Sequence, residues 1–228
     1  MDSINYSDLA IGICSMGSAI LNCGGEIYRA EDTMLRIAAA YDVPAEVFVM
    51  PNCAIVTLTD HYGQPITRIQ RIGDGSTDIT RLEKLSALSY SICRDPYPET
   101  GLLVTEIRRI LRDTPSYSLT IKVLGFALGG YFSCLYCSGS WFDALFAALA
   151  AAVSGLVSFL MVKWKINFFI SLLATSFSLG FVVYGAHLAG VPLYMNSVVS
   201  GALMMLLPGL AFTSFMTDMP MDDIISGL

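Results

Sequence analysis

Two histidines and six cysteines limit the chemistry that this 228-residue chain can perform. His61 sits in a turn-like stretch and His187 at the end of an apolar run, so a Ser-His-Asp triad has little to build on. No Gly-x-Ser-x-Gly, His-Glu-x-x-His or phosphate-binding loop is present, and the chain reads as a non-enzyme. Cys14, Cys23, Cys53 and Cys93 are scattered, without the spacing of a disulfide framework. Cys134 and Cys137 share one helix face, but no second ligand pair accompanies them, so they read as packing residues. No metal and no cofactor is expected.

The more informative polar residues lie where the chain is otherwise apolar. Asp143 follows Trp141 at the start of an apolar run. It suits an interfacial helix start, with a carboxylate at the positive end of the helix dipole, or a transport pathway. His187 fits an interfacial position as well as proton handling. Asn196 and Ser197 enter a later apolar run, and Pro208-Gly209 interrupts it. Proline has no N–H and clashes with the carbonyl four residues earlier, at Met204, so a kink or break is expected there. Broken helices can form substrate sites near a membrane midplane, although neighbouring helices can equally repair a kink. These make Asp143, Asn196, Ser197, Pro208 and Gly209 the pathway candidates. In the polar half, Glu26, Arg29 and Glu31 fall within two helical turns. They are candidates for docking that half onto the membrane bundle, or for gating it, and acids at a helix start also have a structural reason to be there.

The elements that must hold these residues follow from where the charges fall. Hydrophobic residues make up 54% of the chain and charged ones 14%, against about 45–50% and about 25% in an ordinary soluble domain. Mean hydropathy is +0.61. Of 32 charged residues, 26 lie in residues 1–122, whereas 123–217 hold only Asp143, Lys163 and Lys165. A net charge of −6 argues against a nucleic-acid partner, which needs a basic face. The chain therefore reads as an α+β domain over 1–117, a transmembrane helical domain over 118–217 and a tail over 218–228.

Four runs reach spanning length, about 20 apolar residues each: 119–137, 142–162, 168–187 and 193–216. Basic residues flank one side only: Arg108, Arg109, Arg112 and Lys122 before or at the start of the first run, Lys163 and Lys165 between the second and third. The positive-inside rule then places both chain ends in the cytoplasm. No signal peptide is visible in residues 1–8. In the front half the pattern predicts helices over 6–22 and 26–41, then strands over 46–50, 54–59 and 66–72 as an antiparallel meander. Two more helices follow, one capped by Ser76, Thr77 or Asp78 and running to about Ser91, the other over 99–111.

Gly24-Gly25-Glu26-Ile27-Tyr28-Arg29-Ala30-Glu31-Asp32-Thr33 resembles the opening signature of the threonine/serine exporter family. Val49-Met50-Pro51, Thr57-Leu58-Thr59 and the 68–71 segment follow in that family's order. Gly139 to Leu145 looks like the start of its second span, and Leu206 to Ala211 followed by Asp218 like its fourth. The resemblance covers nearly the whole chain from about residue 8. It is similar to the larger, first subunit of split two-component members, or to the first half of the long single-chain ones.

The resemblance implies a multi-pass protein of the cell inner (plasma) membrane that exports small polar metabolites, threonine/serine-type amino acids or dicarboxylates such as succinate. It also implies a fifth span, so the 218–228 tail is expected to be truncated ahead of it. With no ATP-binding motif, secondary transport is expected. The expected partners are a small amino or carboxylic acid substrate, the lipid bilayer, and further copies of the chain or a smaller companion membrane subunit. The alternative is a membrane-anchored metabolite-binding or regulatory module without transport of its own.

Overall fold

The computed structural model describes residues 5–73, 75, 77–98, 100–114, 117–207, 209, 213 and 216. The chain is mostly helical with one small sheet, and it divides into two compact units. Ser116–Gly209 forms one, and the described residues ahead of it belong to the other.

The first unit is built around α1 (Tyr6–Asn22), whose Leu9, Ile13, Met16 and Ile20 are fully buried. Asn5 caps it by accepting the Ser7 and Asp8 N–H groups. Against α1 pack α2 (Ile27–Ala40), α4 (Gly101–Asp113) and one face of a three-stranded antiparallel sheet. The strands are β1 (Ala45–Met50), β2 (Cys53–Thr59) and β3 (Pro65–Arg71), with Val47 opposite Val56 and Val56 opposite Arg68. Alternation along β2 puts Ala54, Val56 and Leu58 into the core. On the other face the Thr57 and Thr67 hydroxyls meet at 3.0 Å. Asp60 closes the β2–β3 turn by accepting the Tyr62 and Gln64 N–H groups, each at 2.8 Å. α3 (Ile79–Arg94) is capped by Asp78, which accepts the Arg81 N–H, and contributes Leu85 and Ile92 to the same core. The meander and all four helices match the sequence expectation to within three residues at each end.

The second unit holds α5 (Leu119–Tyr136), α6 (Trp141–Lys163), α7 (Phe168–Leu188) and α8 (Met195–Leu203). The first three have 18, 23 and 21 residues. At 1.5 Å per residue these are about 27, 34 and 31 Å long, enough for a hydrocarbon core of about 30 Å. Their packing is small inside and large outside. α6 buries Ala144, Ala147, Ala150, Ala151, Ser154 and Gly155, while Leu145, Leu149, Phe169, Phe177 and Phe181 face outward. Small residues let backbones approach closely, and bulky apolar ones are stable outside only in an apolar medium.

The expected fourth span, 193–216, lies partly outside the described residues. Within it α8 is nine residues or about 14 Å long, and the described residues Gly209, Thr213 and Met216 are helical as well. Beyond Leu203 the Met205 and Leu206 N–H groups bond three residues back, to Ala202 and Leu203, as a tightened final turn does. A proline at 208 cannot donate to the Met204 carbonyl, which fits a helix ending here. Pro208 itself lies outside the described residues, as does the tail over 218–228.

Candidate functional site

Ser140, Asp143 and Ser197 of the second unit come together at one end, where the α5–α6 turn meets the α7–α8 connection. Ser140 is the N-cap of α6 and Asp143 its third residue, and the two form a reciprocal capping box. The Ser140 hydroxyl accepts the Asp143 N–H at 3.2 Å. Asp143 Oδ2 accepts the Ser140 N–H at 2.9 Å and the Ser140 hydroxyl proton at 2.7 Å. The other carboxylate oxygen, Oδ1, accepts the Tyr194 N–H at 3.0 Å, across 51 residues of sequence. Asp143 is 1% exposed, so this charge is buried, with three donors and the helix N-terminus around it.

Further ties draw α8 to the same end. Ser197 donates its hydroxyl to the Cys137 carbonyl at 3.0 Å. Gly201 lies against α5, where a Cβ would stand 2.5 Å from the Cys134 Cα, so any side chain there would force the helices apart. Beside this junction His187, Gly190, Val191, Pro192, Leu193 and Tyr194 line an open cavity of about 430 Å³. Imidazole, backbone amides and the Tyr194 backbone held by Asp143 thus border one space.

The sequence-predicted residues separate as follows. Asp143 and Ser197 are tied into this junction, and His187 lines the cavity. Asn196 is exposed on the first turn of α8. Gly209 is exposed, its N–H directed to the Leu207 carbonyl at 2.8 Å. Glu26, Arg29 and Glu31, all of the first unit, diverge. Glu26 is the N-cap of α2 without a side-chain cap bond. Arg29 donates to the Ser86 hydroxyl of α3 at 2.8 Å, and Glu31 accepts the Val49 N–H of β1 at 2.8 Å. Of the glycines on the apolar helices, Gly129 packs against Met205 and Gly155 against Phe126, while Gly125 faces open space. Neither Ser140 nor the Tyr194 N–H is among the sequence-predicted site residues. The spacing Ser140-x-x-Asp143 carries the first as a capping box, and nothing local carries the second.

In the first unit, α1 and α4 present Ser15, Ser18, Ala19, Asn22, Val104, Ile107, Arg108 and Leu111 to a second cavity, about 230 Å³, with Gln70 of β3. Among the described residues no group of histidine, cysteine, aspartate and glutamate is arranged to hold a metal ion.

Residues 12–228 match the model of the ThrE family, described as "Putative threonine/serine exporter". No curated protein and no solved structure matches the chain. The family match covers nearly the full length, over the same residues that supply the capped Asp143, the spanning helices and the α7–α8 cavity, and the chain belongs to the threonine/serine exporter family.

Proposed function

We propose that this chain is the membrane subunit of a secondary exporter for small polar metabolites, threonine/serine-type amino acids or dicarboxylates such as succinate. The observation that carries the reading is the inside-out packing of three spanning helices in a chain of an exporter family. The basic flanks at 108–122 and at Lys163 and Lys165 support both chain ends being cytoplasmic, in the plasma membrane, with a fourth span completed beyond α8. Asp143, Asn196, Ser197, Pro208 and Gly209 are the pathway residues of this proposal, and Glu26, Arg29 and Glu31 its gating or docking residues. The chain works with copies of itself or with a smaller membrane subunit. Four helices with one buried carboxylate make a sparse conduit, and the outward apolar faces offer room for partners.

Efflux of labelled threonine, serine and succinate from preloaded vesicles, with this chain alone and with a candidate companion, tests the proposal. Saturable efflux that requires the chain supports it. Binding of these acids without any flux, in both compositions, would replace it with a membrane-anchored metabolite-binding module.

A further inference from the structure

The groove between α1 and α4 of the first unit has a charge and hydrogen-bond pattern that the transport reading does not use. Residues 15, 18, 19 and 22 fall on one stripe of α1, and 104, 107, 108 and 111 on one stripe of α4, so the two helices line the opposite walls. Gln70 reaches in from β3. Ala19, Val104, Ile107 and Leu111 supply apolar surface. The polar groups are mostly donors. Ser15 gives its hydroxyl proton to Gln70 Oε1 at 3.4 Å, which leaves the Gln70 amide nitrogen uncommitted among the described residues. Ser18 accepts from Asn22 Nδ2 at 3.3 Å and keeps its own proton to donate. Arg108 brings a full positive charge. The neighbouring arginines of α4 are engaged, Arg109 with Glu106 and Asp113 and Arg112 with Asp113, whereas Arg108 has no ion-pair partner among the described residues.

We propose that this groove is a binding site for a small carboxylic acid. One guanidinium matches one carboxylate in charge and fork geometry, and no carboxylate lines the groove to compete for it. The Gln70 amide and the Ser18 hydroxyl complete the donors, and the Asn22 amide oxygen is left to accept from the ammonium or hydroxyl of an amino acid, a donor that a dicarboxylate lacks. At roughly 30 Å³ per water-sized atom, the volume holds about eight non-hydrogen atoms, the size of a four-carbon amino acid or dicarboxylate. The site belongs to the first unit alone, and its occupancy does not require that the chain transport anything.

Hydrogen–deuterium exchange on the full chain in detergent localises binding to segments, which separates this groove from any site among the spanning helices. The probes are L-threonine and succinate, with succinamide and inorganic phosphate as comparisons. Either acid should slow exchange in the peptides covering 15–22 and 104–111, and succinamide should not. Arg108→Gln should weaken the effect about ten- to hundredfold, the worth of a charge-assisted hydrogen bond, while Arg109→Gln leaves it unchanged. Arg108 is exposed on its helix, so the variant is expected to fold, and Arg108→Lys should retain part of the effect. The proposal is overturned if neither acid slows exchange in these peptides, or if the slowing survives in Arg108→Gln. It is equally overturned if phosphate protects as well as succinate, or if protection falls only in peptides of α5–α8.

Discussion

Asp143 accepts three hydrogen bonds from groups that have few other partners, and that decides what its substitution should do. An asparagine keeps one acceptor oxygen but turns an NH₂ group toward N–H or O–H donors. At least one donor of this part-buried junction is then left unsatisfied, which costs about 1–3 kcal/mol. Ser140→Ala removes the cap, at about 0.5–2 kcal/mol, together with the hydroxyl donor to Oδ2, and leaves the carboxylate with the backbone N–H groups of residues 140 and 194. Thermal unfolding in detergent should therefore rank Asp143→Asn below Ser140→Ala. If the carboxylate also serves the pathway, efflux per folded molecule should fall in Asp143→Asn and hold in Ser140→Ala. Equal efflux per folded molecule in both would restrict Asp143 to holding the junction together. In the first unit, burial pushes the Cys14 thiol up to about 11, against the opposing pull of Arg68. The folded chain then keeps a proton that the unfolded chain releases near 9.0. The sign follows: this contribution to stability is intact below pH 9 and is lost as pH rises toward 11. Cys14→Ala should flatten the fall in denaturation midpoint over that window. The slope does not vanish, because burial also raises Cys23 and Cys93.

Five helices end in the same way, and only some of those endings could be read from residue type. After α1, α2, α5, α6 and α7 one residue takes a left-handed φ, and its own N–H and that of the following residue turn back onto the last helical carbonyls. Gly139 to the Cys134 carbonyl with Ser138 to Leu135, and Ile166 to Met161 with Lys165 to Val162, are two instances. Gly24 and Gly190 mark two of the five, as the rule for left-handed caps expects. Asp42, Ser138 and Lys165 hold the same conformation at φ values of 56°, 62° and 54°, without glycine's freedom. Replacing any of them by glycine should relieve roughly 1 kcal/mol of strain, less the added entropy of the unfolded chain. Asp42→Gly, which lies clear of the site residues, should raise the thermal midpoint of the first unit, and an unchanged or lower midpoint would contradict the account. Periodicity found these helices and the three strands because burial imposes 3.6- and 2-residue repeats on the side chains. It could not show that Arg29 and Glu31, two residues apart, serve different neighbours, α3 and β1. Nor could it join Asp143 to Tyr194, 51 residues away, since long-range backbone donors carry no residue-type signal.

At the scale of the whole molecule, the distribution of side-chain size and charge specifies the medium around each part. The first unit buries Leu, Ile and Met and carries most of the charge, as a water-facing domain does. The second buries mostly Ala, Gly, Ser and Cys and exposes Phe and Leu, which an apolar surround accommodates. Its two kinds of connection differ in charge. Lys163 and Lys165 flank the α6–α7 turn, whereas 137–140 and 189–194 contain no basic residue. In the proposed orientation the α6–α7 turn is cytoplasmic and the junction at Asp143, with its cavity at 187–194, opens outward. Trp164 and Pro192 are exposed and mark the two ends. In a Cys137→Ser background, an impermeant maleimide added to intact cells should label Pro192→Cys and leave Trp164→Cys untouched until the membrane is permeabilised. Labelling of Trp164→Cys from outside would invert the bundle. It would place the capped carboxylate and the His187 cavity at the cytoplasmic mouth, where the same groups would receive substrate rather than release it.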